Sequence, residues 1–270
     1  MSLYLDQLGL SEEPFSKEID DQHLWIPPSK QELVDDIVET IESRQSAAVI
    51  GEPGVGKTCV LRAVRRTLPQ ERFRLTYYHN ATLGRRDFYR HLCLALGLVP
   101  TTTSSALFWA VSCHVEDLAK EHVHPVFLLD EAHLLHQDTL DHLHILLNYQ
   151  WDSKALLSLV LVGLPDLDVR LRLRRNRSLH SRLTRCFTID PIGPDDTADY
   201  IRTRLRRVGC DRDLFPSDSI ALLHEAAFGT LRDIDRFASL CLRAAARRKR
   251  KVVDRDVVSR VLKQVGEVRT

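Results

Sequence analysis

Gly51-Glu52-Pro53-Gly54-Val55-Gly56-Lys57-Thr58 is the stretch on which the reading of this chain turns. It fits the pattern G-x-x-x-x-G-K-[ST] at every fixed position. Ahead of it, Ala47-Ala48-Val49-Ile50 is a short apolar run of the kind that forms a buried parallel strand. Behind it, Cys59 to Arg66 alternates as an amphipathic helix that stops before Pro69. In a strand, glycine loop and helix of this kind, the backbone N–H groups of Gly54 to Thr58 turn toward one point. The helix N-terminus adds partial positive charge there. Lys57 is placed to reach β- and γ-phosphates, and the Thr58 hydroxyl to ligate Mg²⁺. The expectation is nucleoside triphosphate binding by residues 51–58.

A second motif answers the first. Val126-Phe127-Leu128-Leu129 is an apolar strand that delivers Asp130 and Glu131 at its carboxyl end, where open α/β sheets bind ligands. Asp130 suits the Mg²⁺ hydration shell, and Glu131 the orientation and deprotonation of an attacking water. Asp130-Glu131-Ala132-His133 also spells a helicase box, but 270 residues are too few for two such motor domains. His133, His136, His142 and His144 lack the Cys or acid that would complete a metal spacing, so a solvated helix face is expected of them.

Composition bounds the rest. With 44% hydrophobic and 28% charged residues, the chain has the make-up of a soluble globular protein. Net charge is +1 but uneven: acids dominate from Glu12 to Glu42, whereas Arg170 to Arg185 holds seven arginines and no acid. A second basic run is Arg243, Arg247, Arg248, Lys249, Arg250 and Lys251. Such asymmetry suits an anionic partner or self-association of unlike surfaces. Six scattered cysteines without C-x-x-C spacing point to reduced thiols and a cytoplasmic location. The start, Met1 to Asp6, lacks the basic-then-apolar pattern of a signal peptide. No apolar run approaches the roughly 20 residues that cross a bilayer, so no membrane partner is expected.

In chain order, residues 1–30 form a turn-rich lead-in whose Leu8, Leu10, Phe15, Leu24, Trp25 and Ile26 are free to bury themselves against a following domain. Trp25 to Pro28 are candidate walls for an adenine pocket, with core packing the main role for Trp25. Ser29 reads as an N-cap before a helix with Leu33, Ile37, Val38 and Ile41 on one face. A strand over Phe73–Tyr78 ends at His79-Asn80, and helices follow over 86–96 and 107–118, with Thr101 to Ser105 as a polar loop. Leu156 to Val162 is the next strand; an arginine-dense helix from Asp166 to His180 and a last strand over 184–190 come after it. Helical patterns fill the remainder. The change of pattern near residue 193 divides the chain into an α/β domain, 1–192 with a lead-in over 1–45, and a helical domain, 193–270.

The order of P-loop, Asp130-Glu131, Val-Leu-Val-Gly strand, Ser-Arg-Leu and helical tail resembles an AAA+ ATPase: a central parallel sheet flanked by helices, then a small all-helical lid. More closely the chain resembles the ExeA/GspA-like group, which includes ATP-dependent regulators of DNA transposition related to TnsC and TniB. Tyr4-Leu5 to Phe15, Leu161 to Leu167 and Gly229-Thr230-Leu231-Arg232-Asp233-Ile234 carry that likeness. It implies ATP as the nucleotide, with Mg²⁺. It also implies that Arg182 is a finger entering a neighbouring subunit's site, with Arg185 in reserve, and that Arg232 is a lid sensor of the γ-phosphate. A finger acting in trans requires a homo-oligomer, ring or filament. At the sensor-1 position, where many relatives are polar, the chain has Leu164, which implies slow hydrolysis and a switch rather than a continuous motor.

The resemblance further implies assembly on duplex DNA and recruitment of a transposase, with a target-selection protein as a further partner. Backbone contacts with little base reading are expected, from Arg85 and Arg86, from Arg172, Arg174, Arg175 and Arg177, and from Arg248 and Lys249. Two alternatives stand beside this reading. One is a secretion accessory ATPase of the ExeA kind, whose relatives usually add a membrane span and a peptidoglycan-binding region; the expectation here is a chain without either. The other is a nucleotide-gated DNA-binding scaffold with weak hydrolysis.

Overall fold

The computed structural model describes residues 3–79 and 82–267, so Asn80, at the end of the expected second strand, lies outside the described residues. In chain order the first elements are α1 (Leu3–Leu8), α2 (Pro28–Glu42), β1 (Ser46–Gly51), α3 (Lys57–Thr67), β2 (Phe73–Tyr78), α4 (Arg85–Ala95), α5 (Ser104–Lys120) and β3 (His124–Leu129). There follow α6 (Gln137–Leu146), β4 (Ser158–Gly163), α7 (Asp166–Leu171), α8 (Arg177–His180) and β5 (Leu183–Ile189). The last helices are α9 (Pro194–Arg207), α10 (Ser217–Ala227), α11 (Leu231–Arg247) and α12 (Arg255–Glu267). The strands form one parallel sheet in the order β2-β3-β4-β1-β5. This is the expected fold class: a parallel sheet flanked by helices, with an all-helical region after it.

Packing divides the chain into two compact units, residues 1–31, 53–60 and 190–270 in one and residues 32–52 and 61–189 in the other. The sheet unit is built on three strands, β1, β3 and β4, whose six residues are each buried throughout. Only strands covered on both faces read as unbroken apolar runs. Ala48, Ile50, Phe127, Leu129, Leu159 and Leu161 share a core with Phe88, Tyr89 and Leu92 of α4, Val111 and Val115 of α5, and Leu140 and Leu143 of α6. β2 and β5 are the edges, and each mixes buried with exposed positions.

In the other unit, Leu5, Leu8, Leu10 and Phe15 enter a core made by α9, α10, α11 and α12. The pattern places the lead-in with the α/β domain that follows it; here its apolar residues find partners beyond residue 190. Arg204, almost wholly buried, seals this join: its Nε donates to the Pro14 carbonyl at 2.6 Å and its Nη2 to the Ser16 carbonyl at 2.5 Å. A buried guanidinium is tolerable because carbonyl acceptors replace its water.

Several elements differ from their sequence reading. The arginine-dense helix over 166–180 is broken into α7, a 3-10 turn at Arg174–Asn176, and α8. Leu173 is extended, and the Asn176 side chain donates to the Arg170 carbonyl at 2.7 Å, closing the first segment. The polar loop before α5 is shortened because Thr103 caps the helix, its Oγ1 accepting from Ala106 N–H at 3.2 Å. At α2 the helix begins on Pro28, a residue suited to the first helical position, so Ser29 lies inside it.

His124 opens β3 as a buried histidine, with Nε2 2.9 Å from the Ser158 hydroxyl. Burial first, then the Arg44 charge, pushes its pKa down to about 4 from 6.5. The folded state therefore favours neutral imidazole. Its contribution to stability is full above the unfolded value of 6.5 and is lost as pH falls toward 4. Unfolding free energy is expected to decline over that interval by up to roughly 1.4 kcal/mol per pH unit from this residue. Denaturant titrations of wild type and His124→Gln across the interval check this; matching slopes in the two would remove His124 as the cause.

Candidate nucleotide site

Gly54 and Gly56 have φ of +88° and +102°, backbone that a side chain rarely adopts. Crowding adds to this, most firmly at Gly54. A Cβ on Gly54 would lie 2.9 Å from the Arg232 Cβ, and one on Gly56 2.8 Å from the Leu231 Cδ1. Both neighbours open α11, and the Arg232 N–H donates to the Gly54 carbonyl at 3.3 Å. The loop is thus closed over by the start of a helix from the C-terminal part of the chain. Val55 is buried beneath it, while the Thr58 side chain is exposed at the start of α3. Gly54→Ala is expected to cost about 1–3 kcal/mol through strain and crowding together. Chemical denaturation measures it; an unchanged midpoint would mean that the loop tolerates a side chain.

Other residues of the same unit surround Tyr200. Its hydroxyl donates to Asp235 Oδ1 at 2.6 Å, and Trp25 packs on its ring with centroids 5.1 Å apart. Burial pushes the Asp235 carboxyl up to about 6, against the lowering effect of Tyr200 and Arg204. Trp25, a candidate wall of the base pocket, also packs against the helical core.

In the sheet unit, Gly51 ends β1 and Glu52 follows it, while Asp130 and Glu131 follow β3. Asp130 is buried and held from two sides: Oδ1 accepts from the Glu131 N–H at 2.9 Å and Oδ2 from the Tyr77 hydroxyl at 2.6 Å. Burial, the hydrogen bond to Asp130 and the Asp130 and Glu131 charges raise the Tyr77 pKa well above the tyrosine range. Tyr77 therefore remains a donor. Glu131 itself is left-handed, φ 54° and ψ 32°, an unfavourable backbone for a residue other than glycine.

Neither Tyr77 nor His133 is legible as a site residue in the sequence. His133 was expected on a solvated face, but its side chain is only 10% exposed. Its Nε2 lies 3.6 Å from Glu131 Oε2, and its Nδ1 accepts from the Leu164 N–H at 3.4 Å. His142 also departs from the solvated reading: Nδ1 is 2.8 Å from the Tyr89 hydroxyl, and its ring packs on Phe108. Both histidines turn inward because polar partners from other elements await them. His136 is exposed.

The arginines separate by what they touch. Arg170 is half-buried, donating to the His133 and Leu135 carbonyls. Arg182 Nη2 meets Asp152 Oδ2 at 2.8 Å, and Arg185 Nη2 meets Asp36 Oδ2 at 2.7 Å. Arg85, Arg86, Arg172, Arg174, Arg175 and Arg177 are exposed, as are Arg248 and Lys249 in the other unit. α6 joins two of these groups: Asp138 accepts from the Arg85 backbone N–H at 3.4 Å, and Asp141 from Arg175 Nη2 at 2.9 Å. Arg172 pairs with Asp168; among the described residues Arg174 and Arg177 make no ion pair.

Residues 39–171 match the model of a family described as AAA domain. This stretch is thus similar to AAA domains. General secretion pathway protein A of Aeromonas hydrophila is 30% identical over 259 residues, covering 94% of this chain and 47% of that protein. The chain thus spans about half the length of this curated relative, which agrees with the expected likeness to the GspA group. The fold is shared with solved proteins of low identity. Cdc6p of Pyrobaculum aerophilum gives a TM-score of 0.69 at 17% identity, covering 92% of this chain and 71% of that one. ORC1 of Aeropyrum pernix, solved in complex with DNA, gives 0.68 at 18%, covering 90% and 66%. RuvB of Thermotoga maritima, a Holliday junction branch migration motor, gives 0.59 at 14%, covering 93% and 73%.

Proposed function

We propose that this chain is a Mg²⁺-dependent ATPase that acts as a homo-oligomer, with ATP binding favouring assembly and hydrolysis ending it. The observation that carries the reading is the glycine loop, its positive-φ backbone closed over by Leu231 and Arg232. In this reading residues 51–58 cradle the phosphates and Lys57 neutralises charge on the β- and γ-groups. Thr58 and Asp130 offer oxygen donors only, the set that suits Mg²⁺. Among the described residues no cluster of three or more His, Cys, Asp or Glu gathers, and a metal shared with phosphates needs none. ATP, when bound, supplies the phosphoryl group to be transferred. Glu131 orients and deprotonates the water, with His133 standing beside its carboxylate.

Arg232 is assigned to report the γ-phosphate to the helical region, and Arg182 to act in trans, with Arg185 less suited because Asp36 engages it. Leu164 offers no polar side chain, which supports slow turnover. Lys57→Ala is expected to remove ATP binding in an equilibrium titration; undiminished affinity would end the proposal. Tyr77→Phe, which takes one donor from Asp130, is expected to raise the Mg²⁺ concentration for half-maximal turnover about tenfold. An unchanged metal requirement would make the Tyr77 contact irrelevant to the metal.

Two readings of what the ATPase serves have separate support. The likeness to general secretion pathway protein A, 30% over nearly the whole chain, supports a secretion accessory role. The exposed arginines that flank α6 support assembly on duplex DNA, and with it the transposition reading, in which the oligomer recruits a transposase and a target-selection protein works alongside. Sedimentation with ATP and duplex DNA, separately and together, discriminates. DNA-bound rings or filaments only in the combined sample favour the DNA reading, with affinity falling steeply with salt. ATP-dependent assembly that ignores DNA favours secretion. No helix among the described residues is long and apolar enough to cross a membrane.

A further inference from the structure

Gln150, Trp151 and Asp152 are three consecutive residues with positive φ, 49°, 61° and 62°, none of them glycine. Left-handed backbone is sterically costly for each, and such runs persist only where surrounding contacts fix them. The fixing contacts are present: Tyr149 and Lys154 form an isolated antiparallel bridge, and the Ser153 hydroxyl donates to the Gln150 carbonyl at 2.6 Å. This corner holds two side chains in opposite ways. Trp151 is completely exposed at 101%, while Asp152 grips Arg182 at 2.8 Å. The rest of the Arg182 guanidinium is poorly served. Its Nη1 reaches the Ser178 carbonyl at 3.2 Å, and its Nε is buried without an acceptor.

We propose that the 150–152 corner is a self-association surface, occupied by a second copy of this chain. Docking of that copy covers Trp151 and draws Asp152 away from Arg182, releasing the guanidinium. This rests on the reading of Arg182 as a residue acting in trans. Charge argues for a second copy as the occupant. The sheet unit bears the arginine-rich 170–185 segment and also an acidic row on α2, where Glu32, Asp35, Glu39 and Glu42 are exposed and share one helix face. Unlike surfaces on one chain pair head to tail, the arrangement that builds rings or filaments. An exposed tryptophan is the residue type that most often anchors such contacts.

ATP turnover per chain against protein concentration, with sedimentation velocity alongside, tests the proposal on the full chain. Trp151→Ala is expected to raise the concentration for half-maximal turnover by about tenfold or more, with the limiting rate and single-chain ATP affinity unchanged. Glu39→Lys should move it in the same direction. Asp152→Asn is expected to lower that concentration several-fold, and to lose the gain when combined with Arg182→Ala. Wild-type assembly by Trp151→Ala would overturn the surface. A slower Asp152→Asn enzyme even at saturating concentration would overturn the release, because the pair would then be structural. If Arg182→Ala alone keeps the full limiting rate, the trans reading fails, while the Trp151 result still decides the surface.

Discussion

Arg182→Ala is expected to slow ATP turnover by about 10³–10⁵-fold while nucleotide affinity stays within about twofold. A guanidinium that meets charge only as the phosphoryl group departs stabilises the transition state and not the bound ground state. The variant should therefore bind nucleotide like wild type, assemble at least as readily because no Asp152 contact has to be broken, and fail at chemistry. Mixing it with Lys57→Ala gives a sharper measurement. Each mutant supplies what the other lacks, so a trans-acting Arg182 predicts that the mixture recovers part of the lost rate. Full activity in the Arg182 variant alone would exclude the residue from the chemistry. No recovery in the mixture would confine it to its own subunit.

Glu131→Gln is expected to retain ATP binding and lose about 10²–10⁴-fold in hydrolysis, the usual contribution of a positioned general base. If hydrolysis ends assembly, the variant should form complexes that outlast the wild type in ATP, and dilution followed by sedimentation reads that lifetime directly. Equal lifetimes would favour a nucleotide-gated scaffold whose assembly does not depend on turnover. His133 makes this residue informative about geometry too. The imidazole lies 3.6 Å from Oε2 and accepts from the Leu164 amide, so it stands beside the carboxylate without a hydrogen bond to it.

The parallel sheet and the phosphate loop were legible because both rest on local pattern. β1, β3 and β4 are apolar after their first residue, and Gly54 and Gly56 stand at positive φ, where glycine is favoured. What the sequence conceals is contact between segments far apart along it. Tyr77 reaches Asp130 because β2 pairs with β3 in a register that sets Tyr77 beside Leu128, and no spacing rule gives that register. The segment 166–180 reads as one helix because its residues favour helix. Arg170 instead turns in toward two carbonyls of the 133–135 turn, and Asn176 ends the segment from the other side. The lead-in is a third case. Leu8 and Phe15 announce that they will be buried, but not that their partners lie beyond residue 190.

α11 begins on the glycine loop and is 17 residues long, about 25 Å of rigid rod. Its first turn is fastened to the Gly54 carbonyl, and Arg248 and Lys249 lie just past its far end. A lever of that length magnifies what happens at its fulcrum. Tilting the rod by about 10° shifts its distal end by about 4 Å, more than the reach of a hydrogen bond. If the loop's peptide planes and the rod move together, a tilt of that size would displace the cationic tip by a full contact distance.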